Sequence, residues 1–167
     1  MTGSRYKVYL IMGVSGCGKS TIGKLLAEEL SIPFFDGDDY HTATNIQKMS
    51  EGIPLDDNDR HGWLMALNLL AKKHLVHGCV IACSALKEKY RETLRKDIED
   101  QVCLIYLEGS IEEIQERLAH RKGHFMPTAL LESQFDILET PKEAITVSIA
   151  LTPLELVEKI KTQLTTM

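Results

Sequence analysis

Four cysteines are scattered through 167 residues, at Cys17, Cys79, Cys83 and Cys103, and no two form a C-x-x-C pair. With no paired-cysteine motif, they read as small buried hydrophobes in a reducing compartment, and a cytoplasmic protein is expected. Long apolar runs are missing too. The longest, Val8 to Met12, stops at Gly13, far short of the ~20 residues that cross a bilayer. It also lacks the length and the small-residue cleavage site of a signal peptide. Basic charge is not in excess, with 19 Lys and Arg against 24 Asp and Glu, a formal net charge of -5. A nucleic-acid binder usually carries a basic stripe, so neither nucleic acid nor membrane is expected as a partner. No repeat, low-complexity tract or linker divides the chain, which predicts one domain over residues 1–167, in line with ~150 residues per domain. Hydrophobic residues at 44% and charged residues at 26% exclude a disordered or fibrous chain.

What is present is an alternation of short apolar runs and amphipathic stretches. Lys7–Met12, Cys79–Cys83, Val102–Leu107 and Ile145–Ile149, with Ile32–Asp36 as a weaker fifth, are rich in β-branched or aromatic residues. Continuous apolar runs of this length fit strands covered on both faces, as in a parallel sheet. The helical patterns between them have legible ends. Ser110 with Glu113, and Thr152 with Glu155, form capping boxes, the second with Pro153 at the first helical position. Trp63, Leu67, Leu70 and Ala71 trace another apolar stripe. The pattern predicts a three-layer α/β domain with helices on both faces of a parallel sheet.

The first strand runs straight into Gly13-Val14-Ser15-Gly16-Cys17-Gly18-Lys19-Ser20-Thr21, which matches G-x-x-x-x-G-K-[ST]. Glycines allow successive backbone N–H groups to turn inward as an anion nest. The helix that follows points its positive dipole end at the same phosphates. Lys19 is expected to reach the β- and γ-phosphates and Ser20 to ligate Mg²⁺, so the loop predicts a nucleoside-triphosphate site. Cys17 is read as a tolerated small residue.

A GTPase or motor ATPase usually places an acid after a later strand, but Cys79–Cys83 leads into Ser84-Ala85-Leu86. The acids come after the second strand instead, as Asp36-Gly37-Asp38-Asp39. Asp36 and Asp38 can face one site, one as a water-mediated Mg²⁺ ligand and the other as acceptor of a proton from an attacking hydroxyl. This points to a small-molecule kinase. The blocks GVSGCGKST, DGDDYH (Asp36–His41), NIQKMSEGIPLDDNDRHGWL (Asn45–Leu64), CSALKEKYRETLR (Cys83–Arg95) and RKGHFMPTALLESQFDILETP (Arg121–Pro141) resemble gluconate kinase, among the shikimate- and adenylate-kinase-like P-loop kinases. The resemblance implies a five-stranded parallel sheet in the order 2-3-1-4-5 with a mobile lid, and transfer of the ATP γ-phosphate to the 6-hydroxyl of D-gluconate. It also suggests a homodimer. A kinase of another small acid or polyol, and a non-catalytic ATP-binding module, are the rival readings.

A polyhydroxylated monoanion needs a cationic clamp, short polar groups and a proton acceptor. Asp38 is the residue chosen to orient and deprotonate the hydroxyl, with Asp36 and Ser20 at the metal and His41 as a hydroxyl partner. Arg60 is the leading carboxylate ligand, since a guanidinium binds carboxylate bidentately, and Lys48 is a weaker one. Ser84, Lys87 and Arg91 are expected at substrate or phosphate. Lys87 and Arg91 share a face near a helix start, where an anion would relieve their opposition to the dipole. Arg117 and Arg121 are expected at the ATP phosphates, spreading the charge of a loose transition state, with Arg121 counted as catalytic alongside Lys19 and Asp38. Gly123 and Pro127 bound the core of an expected lid over about 120–134, from which His124 and Gln134 would touch substrate after closure.

Overall fold

A computed structural model describes residues 5–120 and 128–167. Five parallel strands form one sheet in the order β2-β3-β1-β4-β5, with β1 Val8–Met12, β2 Phe34–Asp36, β3 Cys79–Ala82, β4 Val102–Glu108 and β5 Ile145–Ser148. Helices α1 Lys19–Leu30, α2 Ala43–Ser50, α3 Asp57–Lys73, α4 Glu88–Arg95, α5 Ile111–Ala119, α6 Thr128–Ile137 and α7 Pro153–Thr165 flank it. The expected strand order and layering are both present.

Burial follows position in the sheet. Every residue of β1 and β3 is buried, as central parallel strands covered on both faces require. The edge strand β5 alternates buried and exposed, so the expectation of two covered faces does not extend to it. Both predicted capping boxes form, at Ser110–Glu113 and Thr152–Glu155. A third stands at Asp56–Asp59 and starts α3, which places Arg60 in the first turn of the helix, four residues after its cap. Among the described residues, no helix is long and apolar enough to cross a membrane.

The strand register sets the site. Val8–Ile11 pairs with Cys79–Ala82 on one side, and Val8–Met12 pairs with Val102–Tyr106 on the other. The carboxyl ends of β1, β2 and β3 therefore lie together, bringing Gly13, Asp36 and Ser84 to one rim. In open α/β sheets ligands bind in the crevice at this end, where the strand order reverses.

Candidate active site

Between β1 and α1 the chain turns through Gly16 at φ 85° and Gly18 at φ 99°, both left-handed. A Cβ on Gly16 would come within 3.1 Å of Ile114 and Leu118, so the loop packs directly on α5. Helix α1 has no side-chain cap and no acid in its first turn, which leaves its leading amides for an anion. Lys19 Nζ donates to the carbonyls of Gly13 (3.0 Å) and Val14 (3.1 Å), and an ammonium has a third proton to offer. Cys17 is fully buried, and its Sγ fills the space a Gly13 side chain would take. On the outer side of the loop, Gly16, Gly18, Thr21, Arg117, Ile149 and Leu151 line a cleft of about 580 Å³. Arg117, carried on α5, lines this cleft and donates to the Ile149 carbonyl.

On the inner side stands the acidic turn. Ser20 Oγ donates to Asp36 Oδ2 at 2.6 Å, and the Asp38 amide donates to Asp36 Oδ1 at 3.0 Å. Asp36 thus caps the 3-10 turn Gly37–Tyr40 and holds its carboxylate against the loop serine. Gly37 passes so close to β3 that a Cβ there would lie 2.4 Å from the Ala82 carbonyl oxygen. Only glycine fits. Desolvation raises the Asp38 carboxyl above the ordinary aspartate value, against the opposing pull of Lys19, with Asp36 and Asp39 adding to the rise. Desolvation, then the charge of Arg60, lowers His41 to about 4.

Ser15, Lys19, Asp38, His41, Arg60 and Gln134 line a second cavity of about 280 Å³, a size suited to a small molecule. Ser84 and Trp63 also face it. Arg60 is 8% exposed, and its Nη1 donates to the Leu55 carbonyl and the Tyr90 hydroxyl. Among the described residues its Nε and Nη2 have no protein partner, so part of the guanidinium fork is open to the cavity. Gln134 does more than line it. Its Oε1 accepts from the Ser15 amide (2.8 Å) and its Nε2 donates to Ser15 Oγ (3.1 Å), tying α6 to the phosphate loop.

Residues 15–149 match the family model described as "Shikimate kinase". The chain is 50% identical over 138 residues to the "Thermosensitive gluconokinase" of Escherichia coli (strain K12), covering 80% of this chain and 72% of that protein. It is 43% identical over 170 residues to the "Gluconokinase" of Arabidopsis thaliana, covering 92% and 90%. The crystal structure of a gluconokinase from Sinorhizobium meliloti 1021 superposes with a TM-score of 0.88 at 39% identity, over 98% of this chain and 94% of that one. The chain belongs to the gluconokinase family. As a P-loop kinase of that family, it binds ATP.

Membership does not place every expected residue of this gluconokinase-family chain at the cavity. Lys48 Nζ sits 3.0 Å from both carboxylate oxygens of Asp59, bracing α2 against α3. Lys87 pairs with Asp57 at 3.1 Å, and the same carboxylate takes Lys89 and the Tyr90 hydroxyl. These bonds hold Asp57 well below the usual carboxylate range, the Lys89 contact foremost. Arg91 is 1% exposed; it donates to the carbonyls of Ala85, Leu86 and Glu139 and pairs with Glu88. The strain that an anionic ligand was expected to relieve is relieved by the fold itself. None of the three lines the cavity beside the phosphate loop. Arg121, His124 and the expected lid core at 121–127 lie outside the described residues.

Trp63 and Tyr90 are the residues that sequence reasoning missed. Trp63 reads as core, and it is buried, but its Nε1 donates to the Gly37 carbonyl at 2.7 Å and its ring stacks on His41, centroids 3.9 Å apart. The signal available in sequence was its chemistry: a buried indole N–H almost always finds a partner.

Proposed function

We propose that this chain transfers the γ-phosphoryl group of ATP to the 6-hydroxyl of D-gluconate, giving 6-phospho-D-gluconate and ADP, with residues 1–167 acting as one kinase domain. The observation that carries this reading is the cavity beside the phosphate loop. It offers one acid, Asp38, under the influence of Lys19, and one arginine, Arg60, with unspent donors. Gluconokinases 43–50% identical to the chain supply the substrate class. Gluconate is a flexible monoanion, and a guanidinium edge matches a carboxylate bidentately. With the acid group held at Arg60, the far end of the chain of hydroxyls is directed toward Asp38.

Asp38 accepts the proton of the 6-hydroxyl as its oxygen bonds to phosphorus and the bond from phosphorus to the bridging oxygen of ADP breaks. A carboxyl raised above its ordinary value is a better base for an alcohol, provided it is ionised at the working pH. Phosphoryl transfer passes through a loose transition state, so the protein's part is positioning and charge stabilisation. Lys19, the loop amides and Arg117 serve the nucleotide side.

Ser20 Oγ and the Asp36 carboxylate form a touching pair of hard oxygen ligands. That set suits Mg²⁺, which usually keeps several waters and takes one or two carboxylates plus phosphate oxygens. Bound there, the ion would neutralise phosphate charge. The four cysteines are free and buried, which supports a reducing compartment for the enzyme. The test is ADP release from Mg-ATP with and without gluconate, with the product's phosphate position read by ³¹P NMR. Gluconate-dependent ADP release and a 6-phosphate are expected. ADP release that gluconate leaves unchanged overturns the reading.

A further inference from the structure

The imidazole of His41 has one edge committed and one open. Its Nδ1 lies 3.3 Å from Asn45 Nδ2. The same amide nitrogen stands 2.8 Å from the main-chain carbonyl oxygen of Asp59. A carbonyl only accepts, so the Asn45 group facing it is the NH₂ and not the amide oxygen. That fixes the orientation of a side chain that is itself only 2% exposed. An amide nitrogen donates and does not accept. His41 Nδ1 is therefore the acceptor in this pair, and the single proton of a neutral ring sits on Nε2.

Two further contacts hold that arrangement. The Asn45 main-chain N–H donates to the Thr42 hydroxyl, which caps α2 and seats Asn45 in the first turn. Trp63 stacks on the imidazole with an interplanar angle of 18°, while its own N–H is tied to Gly37, so the plane of the ring is fixed and Asn45 selects the edge that faces it. An imidazolium would put an N–H against the Asn45 NH₂ and add a cation beside Arg60. The low proton affinity of His41, down at about 4, agrees with a ring that stays neutral near pH 7. Among the described residues Nε2 has no hydrogen-bond partner, and His41 lines the acceptor cavity.

We propose that Asn45 is a positioning residue that fixes His41 as an Nε2–H donor to an oxygen of the acceptor, making the cavity selective for a hydroxyl or carboxylate oxygen over an ammonium group at that point. The inference rests on the acceptor reading of the cavity. Lys48 and the carboxylate of Asp59, which also adjoin Asn45 on α2 and α3, are spent on each other and leave the amide to His41. Asn45 never meets substrate; it acts through the ring.

The experiment is long-range ¹H–¹⁵N NMR of the full-length, ligand-free enzyme at neutral pH, with His41 assigned by the signal lost in His41→Gln. The neutral Nε2–H pattern is expected; an Nδ1–H ring or an imidazolium overturns the proposal. In Asn45→Ala the ring should become a mixture of tautomers, and KM for gluconate should rise about fivefold, the worth of one neutral hydrogen bond, with KM for ATP unchanged. A folded Asn45→Ala enzyme that keeps both the tautomer and the KM also overturns it. His41→Gln retains an N–H near the position of Nε2, whereas His41→Phe retains only the stacking. The phenylalanine variant should have the higher KM for gluconate by about fivefold, and equal values sink the donor role without any change at Asn45. A wild-type enzyme that shows the Nε2–H ring but no turnover of gluconate would defeat the acceptor reading of the cavity, and selectivity with it. An Nδ1–H ring in an enzyme that does turn gluconate over defeats this inference alone.

Discussion

The phosphate loop presents mainly backbone amides, while the cavity on its inner side is lined by side chains drawn from several separate segments. On the loop, left-handed glycines and the uncapped start of α1 present amides from one contiguous run, residues 13–21, and side chains of α5 and of the segment after β5 line the cleft beside it. In the cavity, Asp38 and His41 come from the turn after β2, Arg60 and Trp63 from α3, Ser84 from the end of β3, and Gln134 from α6. A nest of amides has no rotamers to hold, so it needs little support. Side-chain groups need partners behind them, and Asp38, Arg60 and His41 have them. Asp36 steadies the Asp38 turn, Tyr90 and Leu55 hold Arg60, and Trp63 and Asn45 hold His41. The lesson is that one half of the site is robust to its surroundings and the other depends on residues that never touch a ligand.

The hardest way to break this comparison is at Asp38. Asp38→Asn keeps the shape of the turn and removes the proton acceptor. Turnover should fall by roughly 10²–10⁴-fold, the usual worth of a positioned general base, while ATP affinity by calorimetry stays within about twofold. An equal loss of ATP affinity would mean that the two halves are one unit. Because desolvation raises the Asp38 carboxyl, the acid limb of kcat/KM should lie above the ordinary aspartate value of 3.8.

Next in size is Arg60→Lys. It preserves charge and loses the planar fork. Losing a charge-assisted, bidentate contact should raise KM for gluconate by about 10- to 100-fold, with KM for ATP unmoved. The contrast is Arg91, which the sequence ranks alongside it. Its four bonds run to the Glu88 carboxylate and to three main-chain carbonyls, so Arg91→Ala should act on stability. Leaving those carbonyls unpaired costs about 2–3 kcal/mol, a drop in Tm of roughly 5–10 °C for a chain of this length. At temperatures where the variant is folded, KM for gluconate should match the wild type. A selective rise in KM for Arg91→Ala would return it to the substrate site.

Arg60 and Arg91 also show where the sequence stopped being readable. What is local was legible: the strand–loop–helix that cradles phosphate, the serine and threonine capping boxes, the acids after β2. What depends on a distant partner was not. Lys48 and Lys87 have the right chemistry for an anion, but their carboxylates sit 11 and 30 residues away on α3. Gln134, expected at substrate from a lid, bonds Ser15 across 119 residues. The Asp56–Asp59 box was missed because two aspartates make a weaker cue than serine with glutamate, although the geometry is the same. Trp63 fell on an apolar stripe, and periodicity records which face a residue occupies, not what its polar edge touches.

The smallest expected effect sharpens the comparison through pH. His41 is about 4 in the folded chain against 6.5 in an unfolded one, lowered first by desolvation and then by Arg60. Above pH 6.5 the ring is neutral in both states and contributes no slope. As pH falls from 6.5 toward 4, the unfolded chain takes up this proton and the folded chain does not, so stability is lost across that window. Asp38 works in the opposite sense, because a raised carboxyl binds its proton earlier in the folded state and adds stability as pH falls toward its ordinary value. The two slopes have opposite signs in the wild type. His41→Gln removes one of them and leaves the amide contact to the cavity. Melting temperatures measured from pH 8 to pH 4 should therefore run parallel for wild type and His41→Gln down to about 6.5. Below that they should draw apart in favour of the glutamine variant by a few degrees, and level off near pH 4. Curves that stay parallel throughout would mean that His41 is not held neutral by its surroundings, and that the acceptor side carries less desolvated charge than its geometry implies.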